Sequence, residues 1–243
     1  MPLTKIICPS GREVSLTRCL LCKNDTWCGT KEWRRKFLFA QGKLEKDIDR
    51  GKYSASILSY LDPAKIVFSY KFPYALSINL IHIFIMGHAI HQLYESAYPP
   101  ESCEVPVETE LTPGIKISGH VDIFYKNKIY DLKTVSTFAR QPKWYYKNQL
   151  SIYGTILEDY YSEKVDEMYL WFVNKSTGEN KLYKISLDKE IFEEAKEVAL
   201  TSYKAIKESR KFQIKLNDQC ASCPVRKYCE AYRDDLMEVN GNE

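Results

Sequence analysis

The chain has 243 residues, of which 44% are apolar, and a formal net charge of only +3. The length suits one domain of moderate size with at most a small appendage. The apolar fraction is enough for a real core, and the overall charge does not by itself announce a nucleic-acid binder. The opening segment Met1–Gly11 lacks the apolar region and cleavage site of a secretory leader. The most apolar stretch, Ala75 to Ile90, is interrupted by Asn79, His82 and His88 and is too short to span a bilayer. It is expected as a buried helix in a soluble, cytoplasmic protein that makes no membrane contact. Eight cysteines in a reducing compartment point to metal binding rather than to a disulfide framework.

Three zones follow in chain order. Residues 1–30 form a cysteine-rich head with Cys8, Cys19, Cys22 and Cys28. Residues 31–212 read as an α/β core. Residues 213–243 hold a second cysteine cluster and a polar tail expected to fray after Asp235. Within the core, Lys31 to Lys46 is predicted as an amphipathic helix, Ser54 to Tyr60 as the start of another with Pro63 opening a further turn, and Leu76 to Ser96 as a long apolar helix. Val105 to Leu111, Ile115 to Tyr125 and Lys128 to Val135 alternate like strands, with Lys126-Asn127-Lys128 as a hairpin turn. Lys143 to Glu158 is helical, Val165 to Asn174 and Lys181 to Ile185 are strands around Lys175–Gly178, and Leu187 to Ser209 is a charged amphipathic helix. This order indicates an α/β fold with a mixed central sheet flanked by helices.

Two stretches have the chemistry of a nucleic-acid contact. Lys31 to Lys52 carries eight Lys or Arg against four Asp or Glu. Arg140, Lys143, Trp144, Tyr145, Tyr146 and Lys147 interleave basic heads with rings that can hold phosphates and stack bases.

Four motifs then occur in order: Gly87-x3-His91 with Glu95 one turn further, Gly119-x2-Asp122, Asp131-x-Lys133, and Gln149-x3-Tyr153. Side chains alternate across a strand, so Asp131 and Lys133 share one face while Leu132 points to the other. Val121 and Ile123 facing the core turn Asp122 the opposite way. A short hairpin then gathers Asp122, Asp131 and Lys133 at one end of the sheet. Two carboxylates there suit magnesium or manganese, and Lys133 is placed to orient a water or stabilise charge on a phosphate. A metal lowers the pKa of a bound water and polarises a phosphoryl oxygen, which is the equipment of phosphodiester hydrolysis. His91 adds an imidazole from the long helix and favours manganese. Gln149 and Tyr153, four apart, share a helix face.

This ordered set, over residues 87–153, resembles the RecB-like nucleases of the PD-(D/E)XK type. Together with Cys220-x2-Cys223-x5-Cys229, it is similar to the CRISPR-associated Cas-four exonucleases and the nuclease domains of AddB-type helicase–nucleases. The short chain favours the stand-alone group. The resemblance implies a RecB-like restriction-endonuclease fold with cysteine-rich metal-binding ends. It also implies metal-dependent cleavage of DNA from single-stranded ends, in CRISPR spacer acquisition alongside adaptation proteins or in recombination and repair. Two other readings remain: a viral or restriction-type endonuclease on the same fold, and a non-catalytic zinc-containing nucleic-acid-binding protein.

The spacing of Cys220, Cys223 and Cys229 is good for a metal or an iron–sulfur centre, and the resemblance places a four-iron cluster there. Its fourth cysteine should precede the Gly-x-x-x-His helix, but Asp62 stands in that position. The fourth ligand is therefore Asp62 or a head cysteine. The head repeats the spacing in Cys19-x2-Cys22-x5-Cys28, with Cys8 upstream. These four fit a tetrahedral zinc site; they could equally bind iron–sulfur or lend a thiolate to the C-terminal set.

Overall fold

The structure, a computed structural model, describes residues 3–8, 11–15, 18–19, 51–72, 74–214 and 217–230. The predicted helix Lys31 to Lys46, the basic stretch to Arg50, Cys22, Cys28 and the tail beyond Asp235 lie outside the described residues. The chain divides into two compact units. One takes in Met1–Arg50, Asp62–His82 and Leu200–Glu243; the other comprises Gly51–Leu61 and Ile83–Ala199.

The larger described unit is built on a six-stranded mixed sheet. Its strands are β3 (Lys52–Ser54), β5 (Cys103–Thr112), β6 (Ile115–Tyr125), β7 (Lys128–Val135), β8 (Glu167–Asn174) and β9 (Asn180–Ile185). The order runs β3-β6-β7-β8-β9, with β5 pairing β6. The β6–β7 hairpin turns on Lys126 and Asn127, both at positive φ, as a two-residue turn matching strand twist requires. Asparagine tolerates that conformation, and Asp166 steadies it by donating its N–H to the Asn127 carbonyl at 2.8 Å.

Alternation along the strands gives the sheet two different faces. One carries Ile129, Asp131, Met168, Leu170 and Phe172 against helix α4 (Trp144–Tyr161). Gly154 of α4 comes so close that an added Cβ would lie 2.7 Å from Met168 Sδ. The other face is aromatic. Tyr130 stacks on Tyr169, Trp171 meets Tyr130, and Tyr94 and Tyr98 pack edge-on or tilted from above. Tyr94 belongs to helix α3 (Ile78–Glu95).

Helix α3 departs from its expectation as a buried apolar helix. Ile83, Phe84, Met86 and Leu93 are 44–68% exposed, whereas the side turned inward carries Gly87, His91, Tyr94 and Glu95. Hydropathy predicts burial of the apolar stripe, but here the polar stripe faces the sheet. The helix also begins later than predicted, because Tyr74–Ser77 forms a strand, β4. The predicted helix at Ser54 is only a turn, α1 (Ala55–Leu58), capped by the Ser54 hydroxyl after strand β3.

In the other unit, β4 pairs parallel with β1 (Leu3–Ile7), which pairs antiparallel with β2 (Glu13–Ser15). Neither N-terminal strand was expected from the sequence, where the cysteines dominate the reading. Helix α2 (Pro63–Lys71) starts at Asp62, whose carboxylate accepts the Ala64 N–H at 2.9 Å. Its buried side, Ala64, Val67 and Phe68, packs with Ala205 and Val225. Ala205 belongs to helix α5 (Glu190–Lys207). Among the described residues no helix is long and apolar enough to cross a membrane.

Candidate metal centre

The centre is organised by a gap in strand β6. One edge of β6 pairs with β5 along nearly its whole length. The other edge pairs with β3 at residues 116–118 and with β7 at residues 123–125. Between those contacts no strand among the described residues pairs with the segment Gly119-His120-Val121-Asp122 on that side. Asp122 bridges the gap with its side chain: its Oδ2 accepts the Leu132 N–H at 2.7 Å. The carboxylate thus takes a ladder amide of β7 and stays anchored where the strands part.

His91 and Glu95, one turn apart on α3, meet Asp122 from above. His91 Nδ1 lies 3.6 Å from Asp122 Oδ2, and the ligand atoms of His91, Glu95 and Asp122 all lie within 4.8 Å of one another. Gly87 admits the helix to this position, since an added Cβ would sit 3.1 Å from Thr134 Oγ1 of β7. Across from Asp122, between the register pairs Cys103–Ile123 and Val105–Val121, sits Glu104 with a left-handed φ of 48°. That backbone is strained for a residue with a side chain, and it places a further exposed carboxylate beside the centre.

Asp131 and Lys133 share a face of β7 as the alternation predicts. Lys133 Nζ lies 2.5 Å from Asp131 Oδ2 and 5.2 Å from the centre of the Tyr146 ring. Asp131 is only 1% exposed, and its Oδ1 has no hydrogen-bond partner. On α4, Gln149 Nε2 donates to the Tyr153 hydroxyl at 3.1 Å. The Tyr153 ring lies so close over Gly119 that an added Cβ would be 2.6 Å from Cε1. The glycine of the second motif and the tyrosine of the fourth are therefore two halves of one contact.

Burial dominates the electrostatics. It pushes the carboxyls of Asp122 and Asp131 up to about 6, although Lys133 opposes the shift in both. Burial pulls Lys133 down, but the charges of Asp131 and Asp122 overcome it and hold the ammonium above its ordinary value. Burial and then Lys133 lower His91, favouring the neutral, ligating imidazole. Burial, assisted by the Glu104 charge, raises Glu95. Asp122 and Asp131 face one lysine, with Glu95 as a third acid beside Asp122, and carboxylates with a neutral imidazole suit a hard or borderline divalent cation.

The structure gathers His91, Asp122, Asp131, Lys133, Gln149 and Tyr153 in one unit, and it brings to them Glu95 and Glu104, to which the sequence assigns no role, and Tyr146, which the sequence offers only as a ring for stacking. Glu95 was signalled by its i+4 spacing from His91. Tyr146 lies three residues before Gln149 and so on its side of the helix. Glu104 had no local signal. Of the basic and aromatic stretch, Arg140 and Lys143 are exposed, and Trp144 and Lys147 are half-buried. Tyr145 is 7% exposed and stacks on Tyr60 with ring centres 4.6 Å apart. Its ring is core, not a free platform for a base.

In the other unit, Cys223 and Cys229 pack against the core of α2 and α5. Cys220 closes a capping box with Asn217, accepting its N–H at 3.3 Å. Burial, then the charges of Asp62, Cys223 and Cys220, push the Cys229 thiol up to about 12. Burial also raises Cys223, with Lys65 opposing and Asp62 and Cys220 assisting. Cys8 is half-buried and Cys19 is buried. Cys103 points its thiol at the Glu95 carbonyl, 3.3 Å away.

Comparison with known proteins follows this geometry. Residues 71–230 match the PD-(D/E)XK nuclease superfamily. Among solved structures, that of the protein SSO0001 superposes with a TM-score of 0.51 at 18% identity, covering 77% of this chain and 92% of that one. A candidate exonuclease from Eubacterium rectale gives a TM-score of 0.36 at 18% identity over 60% of each chain. The former likeness concerns the fold alone. Comparison with curated proteins finds no match.

The raised carboxyls set a testable pH dependence. In the metal-free protein the folded state holds these protons more tightly than the unfolded state. Their contribution to stability is therefore complete below the ordinary carboxylate range and is lost as pH rises through about 6. Stability in EDTA, and with it the thermal midpoint, should fall over that window, by about 3 kcal/mol for each carboxyl. The Asp122→Asn, Asp131→Asn double variant should lack this slope, and Mn2+ should restore wild-type stability above it. An identical pH slope in the double variant would contradict the assignment.

Proposed function

The chain belongs to the PD-(D/E)XK nuclease superfamily, and on that premise we propose that it is a metal-dependent DNA exonuclease acting on single-stranded ends. The observation that carries this reading is the Asp122 carboxylate held at the gap in β6, with the Asp131–Lys133 pair on one side and His91 on the other. The orphaned buried oxygen of Asp131 and the imidazole–carboxylate donor set fit a divalent cation. His91, Asp122 and Asp131 are its proposed ligands, with Mn2+ or Mg2+ as the ion. Such an ion supplies polarisation of a phosphoryl oxygen and an acidified water.

The chain's own groups do the rest. Lys133, held by Asp131 and the Tyr146 ring, stays protonated at neutral pH. It therefore serves as a cationic donor to the scissile phosphate or the attacking water rather than as a base. Tyr153 is kept neutral by burial and presents a hydroxyl fixed by Gln149, suited to orienting the lysine or the phosphate. Arg140, Lys143 and Lys147 supply positive charge for the DNA backbone. A role in CRISPR spacer acquisition, with adaptation proteins as partners, or in recombination is the accompanying proposal for pathway.

The C-terminal thiols form the second proposed cofactor site. Cys223 and Cys229 lie close enough to Cys220 and Asp62 that ionising either thiol is opposed by its neighbours, with Lys65 as the opposing cation at Cys223. A thiophilic centre that binds them as thiolates offsets that cost, and clustered cysteines are the donors such a centre needs. We assign Cys220, Cys223 and Cys229 to a 4Fe–4S cluster, with Asp62 or a head cysteine as fourth ligand. Zinc remains the proposal for Cys8, Cys19, Cys22 and Cys28.

Two tests follow. Asp122→Ala or Asp131→Ala should lower cleavage of end-labelled single strands by ~100-fold or more, beyond the loss that an outer-shell partner costs, while DNA binding survives. Lys133→Ala should cost about 10²–10³ in turnover and spare Mn2+ affinity. Cleavage of closed circles would favour the endonuclease reading, and undiminished rates in the Asp variants would sink both. Separately, anaerobically purified protein should contain iron, and Cys223→Ser should lose it along with thermal stability. Iron-free protein with an equally stable Cys223→Ser variant would remove the cluster from the account.

A further inference from the structure

Glu95, one turn beyond His91 in the first motif, has a place in the metal centre that its spacing alone does not assign. It follows His91 by one helical turn, so the two side chains lie one above the other on the face of α3 turned towards Asp122. The residue is only 9% exposed, and Oε1 is sealed from solvent with no hydrogen-bond partner. A buried carboxylate oxygen without a partner is costly, and a glutamine or leucine would fill the space at less cost. Among the described residues no Lys or Arg pairs with it. Asp131 also keeps an unpartnered oxygen, but it has Lys133 as counter-ion at 2.5 Å and lies outside the group of atoms within 4.8 Å that joins His91, Glu95 and Asp122.

We propose that Glu95 is a direct ligand of the divalent ion, and that in the DNA-free protein the ion sits on His91, Glu95 and Asp122 while Asp131 remains the counter-ion of Lys133. This deepens the metal-dependent reading above and rests on it only for the purpose the ion serves. One imidazole and two carboxylates form a borderline donor set that selects Mn2+ over Mg2+. The ion is then resident before substrate arrives. Asp131 becomes available to it only when Lys133 turns to an incoming phosphate.

The test is calorimetric titration of Mn2+ into the DNA-free protein, using the isosteric variants Glu95→Gln and Asp131→Asn. Glu95→Gln should weaken Mn2+ binding by about tenfold or more, a loss that even supporting groups produce. Asp131→Asn should weaken it less. Metal-free Glu95→Gln should be at least as thermally stable as wild type, since it removes a buried charge, but should lose the stabilisation that Mn2+ confers. Unchanged Mn2+ affinity in Glu95→Gln overturns the proposal. Should that variant not fold, wild-type crystals soaked in Mn2+ decide through anomalous scattering. An ion in contact with Glu95 supports the proposal, and an ion bound without Glu95 overturns it. Mn2+ bound through Glu95 in a protein that cleaves no DNA would refute the nuclease reading and leave this one standing.

Discussion

The hydrogen bond from the Leu132 amide to the Asp122 carboxylate is the interaction on which the centre depends. Strands β6 and β7 pair normally near their hairpin and then part, because β3 occupies the far end of the same β6 edge. A strand edge left open inside a protein must satisfy its amides by other means. Here a side chain does so, and in doing so a carboxylate is fixed within a structured, partly desolvated cleft. Gly119 permits Tyr153 to close over the same open segment, and Gly87 permits α3 to descend towards it. The glycines serve the approach of other groups; neither has the positive φ that marks a turn.

A second consequence is electrostatic. Asp122 and Asp131 are drawn into an environment where their charged forms are disfavoured, and a single buried lysine does not restore them to ordinary acidity. Glu95 and Glu104 add to the same sign. Such a surplus is expensive in the absence of a cation and becomes a source of affinity in its presence. The stability forgone by the metal-free fold is thus the counterpart of the metal affinity that phosphodiester chemistry needs.

Much of this was legible in the sequence because strands and helices have fixed periods. The alternation Asp131-Leu132-Lys133 placed acid and lysine on one face, and the i+4 spacing of Gln149 and Tyr153 correctly implied contact. Other features depend on tertiary context. Hydropathy suggested that α3 buries its apolar residues, yet its inward side is defined by what must reach Asp122, leaving Phe84 and Met86 exposed. Tyr145 lies in a basic, aromatic run that looks like a nucleic-acid platform, but its partner is Tyr60, 85 positions away, which no local pattern reveals. Glu104 joins the centre through a left-handed backbone within β5. Asp62, which the sequence offers as a candidate fourth cluster ligand in place of a cysteine, also caps α2, a demand that the sequence does not separate from the first.

The central claim, that these carboxylates are held in a buried, charge-frustrated cluster built for a divalent ion, is most directly tested by carboxyl carbon NMR of Asp122 and Asp131 during a pH titration, with and without Mg2+. The account predicts midpoints near 6 in the metal-free protein and ionisation maintained to markedly lower pH once Mg2+ is added. Titration of both groups in the ordinary carboxylate range, indifferent to Mg2+, would contradict it.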